Sequence, residues 1–166
     1  INTISAICEV TGADVREVSR AIGKDSRIGS KFLDSGPGFG GSCFKKDILN
    51  LVYLCKYFGL NEVANFWESI VIINQWQQDR IYKKIVESLF GNISGKKIAI
   101  LGFAFKANTN DTRESPAINL TNKLLEEGAI VSIHDPKVEK KKIVEDLKNY
   151  SETNLDNTKK KDSTWS

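Results

Sequence analysis

Residues 61 to 90 contain neither proline nor glycine, and Val63, Phe66, Trp67, Ile70, Ile73, Asn74, Trp76, Ile81, Ile85, Val86 and Leu89 fall at or near helical spacing along one side. With Gly59 closing the stretch before it and Asn61 read as its cap, this is a helix of about 30 residues, roughly 45 Å long at 1.5 Å per residue. One small domain cannot cover that length. The pattern therefore predicts a helix that bridges two folded units and forms a homodimer core through its apolar face, with a higher homo-oligomer open.

The segments on either side differ in character. Upstream, Ile4, Ile7, Cys8, Val15, Val18 and Ile22 suggest two short helices broken at Gly12 and Asp14. From Ser26 to Gly41 the chain is rich in glycine around Pro37 and reads as a long irregular loop, a type that is usually functional or disordered. Ser42 is placed as the N-cap of a further helix carrying Ile48, Leu49, Leu51, Val52 and Leu54 and ending at Gly59.

Downstream, Gly91 to Lys97 is a short turn. The apolar run Ile98-Ala-Ile-Leu101, ended by Gly102, suits a strand buried on both faces of a parallel sheet. A helix from about Ser115 to Glu127 and a second strand, Ile130 to Asp135, complete a βαβ unit whose ligand-facing loops lie at the strands' carboxyl ends. Two strands are few for such a sheet, so this unit reads as truncated. The fold class is thus an α-helical central domain joined by a long helix to a truncated α/β, Rossmann-like βαβ domain. The expected divisions are 1–91 helical, 92–150 α/β, and 151–166 a polar tail.

Composition narrows the function classes. A hydrophobic content of 40% supports a packed core, and a net charge of only +3, with lysine runs at 140–142 and 159–161 outside any aromatic stacking pattern, argues against a nucleic-acid partner. No apolar run approaches membrane-spanning length, and no secretion segment is evident. Three cysteines without C-x-x-C spacing suggest neither a disulfide framework nor a metal site, and reduced thiols fit a cytoplasmic location. The single histidine, His134, is read as structural or superficial.

Cys43 is the residue with the clearest chemistry. A thiolate is the reactive form of cysteine, and a helix start with its unpaired N–H groups favours it. Lys45 and Lys46 add positive charge, and Asp47 lies one helical turn on, where a carboxylate can orient water. Gly38, Gly40 and Gly41 let the backbone approach a substrate closely. Read from the residues alone, Cys43 is equally compatible with a small buried hydrophobe, while Cys8 and Cys55 read as core.

The run Gly38-Phe-Gly-Gly-Ser-Cys-Phe-Lys-Lys-Asp47 resembles the active-site segment of the nucleotide-sugar dehydrogenases, the UDP-glucose/GDP-mannose dehydrogenase family. Downstream, Gly102-Phe-Ala-Phe-Lys-Ala-Asn-Thr-Asn-Asp-Thr-Arg-Glu-Ser115 resembles the opening of that family's UDP-binding domain. The resemblance implies oxidation of UDP-glucose to UDP-glucuronate with two NAD. Cys43 would be the nucleophile, through a thiohemiacetal and a thioester, and Asp47 would position or activate water. It places Phe32, Leu33, Asp34, Ser35, Gly36, Phe39, Gly40 and Phe44 around the sugar nucleotide, with Lys106 reaching it from the second domain. Lys46 and Arg113 would contact NAD, and Arg27 would serve a neighbouring subunit's substrate. Phe44 favours the UDP-glucose members over the GDP-mannose members, and Asp34 stands where animal relatives carry lysine.

The Gly102-Phe-Ala-Phe turn is not a dinucleotide fingerprint, because Ala104 occupies the second glycine position. The family's amino-terminal domain supplies that fingerprint, and the chain alone is not expected to turn over. The alternatives are a catalytically incomplete dimerisation or substrate-binding module derived from the enzyme, or a GDP-mannose dehydrogenase relative.

Overall fold

A computed structural model describes residues 1–150. The elements run α1 (Asn2–Thr11), α2 (Val15–Gly23), α3 (Phe44–Tyr57), α4 (Asn61–Ser88), β1 (Lys97–Leu101), α5 (Pro116–Glu126) and β2 (Ile130–His134). Residues 140–150 are again helical. The polar tail expected at 151–166 lies outside the described residues.

The break between α1 and α2 follows from local chemistry. Gly12 takes a left-handed φ of 75° that closes α1, and the Asp14 carboxylate accepts from the Arg16 amide to open α2. Residues 24–43 contain no regular helix or strand, as the glycine content predicts.

Two expected caps are replaced. Cys43, not Ser42, is the N-cap of α3, and the Asp47 amide donates to its carbonyl at 2.8 Å. The Ser42 hydroxyl lies 3.4 Å from the Cys43 sulfur instead of on a helix amide. Leu60, not Asn61, is the N-cap of α4 and makes no side-chain cap. Its carbonyl receives the first bond of the helix from Ala64, which is completely buried and leaves no room for a later start.

α4 is 28 residues long, about 42 Å at 1.5 Å per residue. Its first half packs Ala64, Trp67, Ile70 and Val71 against Ile48, Leu51, Val52 and Cys55 of α3. Its second half places Tyr82, Ile85, Val86 and Leu89 against the sheet and Leu124 of α5. A third cluster, Phe103, Val138 and Ile143, fills the space beneath the last helical stretch.

β1 and β2 pair in parallel, Ile98 opposite Val131 and Ile100 opposite Ile133, with α5 as the crossover. Ser115 caps α5 by accepting from the Ala117 amide, and Pro116 occupies the first turn where its missing N–H costs nothing. One expectation fails here: the first strand is covered on one face only. Ile98 and Ile100 face α4 and α5, whereas Lys97, Ala99 and Leu101 are exposed, because among the described residues nothing packs on the second face. β2 likewise ends at His134, one residue short of Asp135, whose side chain takes a different role.

Candidate functional site

The glycine-rich loop is held from three sides. Gly36 donates its amide to Asn2 Oδ1 of α1 at 2.9 Å, and its carbonyl accepts from Gln77 Nε2 of α4 at 2.8 Å. One turn earlier on α4, Asn74 bonds both backbone groups of Phe39, accepting from its amide at 2.8 Å and donating to its carbonyl at 3.0 Å. The third attachment is to the α/β unit, where the Gly41 amide donates to the Arg113 carbonyl at 2.8 Å.

That last contact explains Gly40. A side chain there would place its Cβ 2.3 Å from the Glu114 carbonyl oxygen and 3.0 Å from Phe105. Glu114 itself has φ of 54°, an unfavourable conformation for a non-glycine residue, and its carboxylate meets Lys45 at 2.9 Å. The segment leading to Cys43 and loop 105–114 are therefore docked backbone to backbone.

Cys43 stands beyond this joint, exposed, at the N-terminus of α3, while Cys8 and Cys55 are buried as expected. Phe44 and Phe39 meet edge to face with ring centroids 4.7 Å apart, tying the first helical residue to the loop. Lys46 and Asp47 are exposed on the first turn of α3. Lys45 points to Glu114, so its charge is already paired.

Four cavities surround the loop, and the residues singled out in the sequence divide among them. Phe32, Asp34, Gly36 and Phe39 line one of about 500 Å³, against Ile73 and Trp76 of α4. Phe39, Gly40, Lys46 and Arg113 line a cleft of about 580 Å³ between the two units. Lys106 lines a third, at the carboxyl ends of the strands, where its ammonium sits 5.4 Å from the Phe105 ring centre. Ser35 instead faces a cavity beside α1 and the α1–α2 turn. Leu33 is half-buried and accepts a hydrogen bond from Ser19 through its carbonyl. Arg27 is exposed and paired with Asp25 at 2.6 Å, away from these residues.

Carboxylates organise the α/β side. The Asp111 carboxyl falls to about 2, first because the Arg113 side chain bonds it and then because the Arg113 amide does. The Arg113 guanidinium is raised in turn by Asp111, with a smaller contribution from Cys43. Asp135 is the more unusual group. Burial pushes its carboxyl up, but four backbone amides, from Phe103, Ala104, Lys137 and Val138, outweigh that and bring it to about 2. One side chain thus pins the loops that leave both strands.

Asn2, Asn74, Gln77 and Asp135 were not singled out from the sequence. Asn74 lay in plain view as a polar residue inside the apolar side of the long helix, and such a residue must find a partner when buried. Asp135 followed by proline is a turn signal that the strand reading absorbed. Among the described residues no cluster could hold a metal ion, and no helix is long and apolar enough to cross a membrane.

Comparison with known proteins bears on the same segments. Residues 1–76 match the central domain of the UDP-glucose/GDP-mannose dehydrogenase family, and residues 99–163 match that family's UDP-binding domain. The UDP-glucose 6-dehydrogenase of Drosophila melanogaster is 59% identical over 153 residues, which are 92% of this chain and 32% of the relative. That of Gallus gallus is 57% identical over 147 residues, 89% of this chain and 30% of the relative. A solved UDP-glucose dehydrogenase from Pyrobaculum islandicum superposes with a TM-score of 0.74 at 35% identity, covering 82% of this chain and 31% of that one. A GDP-mannose dehydrogenase from Pseudomonas aeruginosa gives 0.57 at 30% identity, covering 78% and 28%. The chain spans about a third of the length of the curated relatives it matches. With its two folded units matching two domains of one family, the chain belongs to the UDP-glucose/GDP-mannose dehydrogenases.

Proposed function

We propose that this chain is the part of a UDP-glucose 6-dehydrogenase that carries the nucleophile and much of the sugar-nucleotide site, in an enzyme that converts UDP-glucose to UDP-glucuronate. The observation that supports this most is the placement of Cys43: an exposed thiol at a helix N-terminus, beside a glycine loop docked on the second unit. The domain division proposed with it is 1–91 and 92–150.

The cations lining the cleft suit a dinucleotide. Lys46 and Arg113, contributed by the two units, line a space of about 580 Å³ with Arg113 braced by Asp111, and would contact NAD there. Bound there, NAD would supply the hydride acceptor for both oxidations.

The chain's own residues do the rest. Phe32 to Gly36, Phe39, Gly40 and Phe44 would surround the sugar nucleotide, with Lys106 reaching it from the second unit and Arg27 serving a neighbouring subunit. The Cys43 thiolate adds to the C6 aldehyde, giving a thiohemiacetal that cannot escape, and loss of the second hydride leaves a thioester. Asp47, one turn along α3, orients the water that hydrolyses it. Proposed in the same reading, α4 pairs with a second copy through exposed apolar residues of its first half, Val63 and Phe66 among them. Sedimentation as a monomer at micromolar concentration would refute that pairing.

The test of the catalytic reading is NADH formation from UDP-glucose and NAD by the longest natural polypeptide containing residues 1–166. Cys43→Ser is expected to remove turnover by about a thousandfold or more while leaving sugar-nucleotide binding in place. An unchanged rate would exclude the thiol as nucleophile.

A further inference from the structure

We infer that Asn74 is a positioning residue for the nucleophile loop, acting through Phe39 to fix where Cys43 stands; the inference rests on the reading of Cys43 as the nucleophile.

The geometry is unusual for a side chain on a long helix. A strand neighbour would satisfy the amide and carbonyl of a loop residue with two backbone groups, and here the Asn74 carboxamide alone satisfies both for Phe39. Asn74 and Phe39 are 35 residues apart, so the pair closes a large loop with one side chain.

Sequence and geometry agree on the cost of this approach. Gly38 has φ of 115°, and a Cβ there would lie 2.8 Å from Asn74 Oδ1 and 3.3 Å from Gln78. The glycine before Phe39 thus makes room for the amide that grips Phe39. Gln77, three residues along α4, repeats the arrangement on the carbonyl of Gly36.

The clamp connects to the thiol by short steps. Phe39 packs edge to face on Phe44, the first residue of α3 and the neighbour of Cys43. On the chain itself, Gly41 lies two residues beyond Phe39 and two before Cys43, where its amide is bonded to Arg113 of the other unit. Freeing Phe39 loosens both the aromatic contact behind Cys43 and the seam that carries Arg113. Substrate affinity draws on contacts spread over several segments, so the loss should fall on the chemical step.

The experiment compares Asn74→Ala with Val52→Ala, a core change on α3 chosen for a similar loss of thermal stability, in the longest natural polypeptide containing the chain. For Asn74→Ala the expected result is a fall in kcat of about tenfold or more with KM for UDP-glucose within about threefold, and amide exchange at Gly41 faster by about tenfold. Val52→Ala should reproduce neither. Asn74→Asp keeps the acceptor for the Phe39 amide but opposes the Phe39 carbonyl; it should move kcat the same way, and it stands in if the alanine variant does not fold. Exchange that is faster at Phe39 but unchanged at Gly41, or a loss confined to KM, overturns the inference. If the unmodified protein forms no NADH from UDP-glucose, the catalytic reading fails by itself, and exchange at Gly41 still decides whether Asn74 holds the loop.

Discussion

Loop 36–41 is held by neutral amides, whereas loop 102–114 is held by carboxylates, although the two are docked against each other. Asn2 and Gln77 hold the first through one neutral hydrogen bond each and Asn74 through two, each bond worth about 1 kcal/mol net. Asp135 and Asp111 hold the second through charge-assisted bonds, which are individually stronger. The Cys43 side is thereby insensitive to protonation of its own clamp, and the α/β side is not.

The seam between the loops is the place to break this comparison hardest. Gly40→Ala drives a methyl group into the Glu114 carbonyl, and neither backbone can yield while Gly41 stays bonded to Arg113. We expect a loss of about 3 kcal/mol or more in stability, or separation of the loops with loss of turnover, read by urea denaturation and by NADH formation. A variant with unchanged midpoint and rate would show that the seam is not tight in solution.

Next in size is Asp135→Asn, which removes the charge shared by four amides and should cost about 2 kcal/mol at neutral pH. The sign with pH follows from its lowered carboxyl, at about 2 folded against an ordinary 3.8. Its contribution is complete above the ordinary value and disappears as pH falls through about 2, so wild type and variant should converge there. Urea midpoints measured from pH 7 down to 2 test this; a gap that persists unchanged at the acid end would mean that the charge is not what holds the loop.

The smallest effect belongs to Lys45→Ala. Its bond to Glu114 runs from the first turn of α3 to loop 102–114, but both side chains are about half exposed. Such pairs contribute about 0.5 kcal/mol or less and weaken with salt. A larger loss, persisting at high salt, would show that the ion pair shares in holding the seam.

What was legible in the sequence follows the same division. Periodicity gave the helices and the βαβ order because apolar spacing is a local property, and the burial of Cys8 and Cys55 followed from their apolar neighbours, whereas the residues alone left the exposure of Cys43 open. Cap positions slipped by one residue, at Cys43 for Ser42 and Leu60 for Asn61, because tertiary packing decided the first turn. The clamps could not be read. Asn74 and Phe39 are far apart in the chain, and an asparagine in an apolar stripe announces a partner without naming it. The one-sided burial of β1 was missed for a related reason: an apolar run shows what a strand could bury, not what is there to bury it.

α4 has a mechanical consequence. It is a single hydrogen-bonded rod that forms a wall of the α3 core along its first half and of the sheet core along its second. Melting either half would strip its own unit of a wall and fray the rod from which the other half continues, so the described region should lose its structure in one cooperative event, not two. The same rod removes the swivel that a flexible linker would supply. Any relative motion that opens the cleft must then be flexure of one helix, with loop 36–41 carried along by Asn74 and Gln77 and giving way at its bond to Arg113.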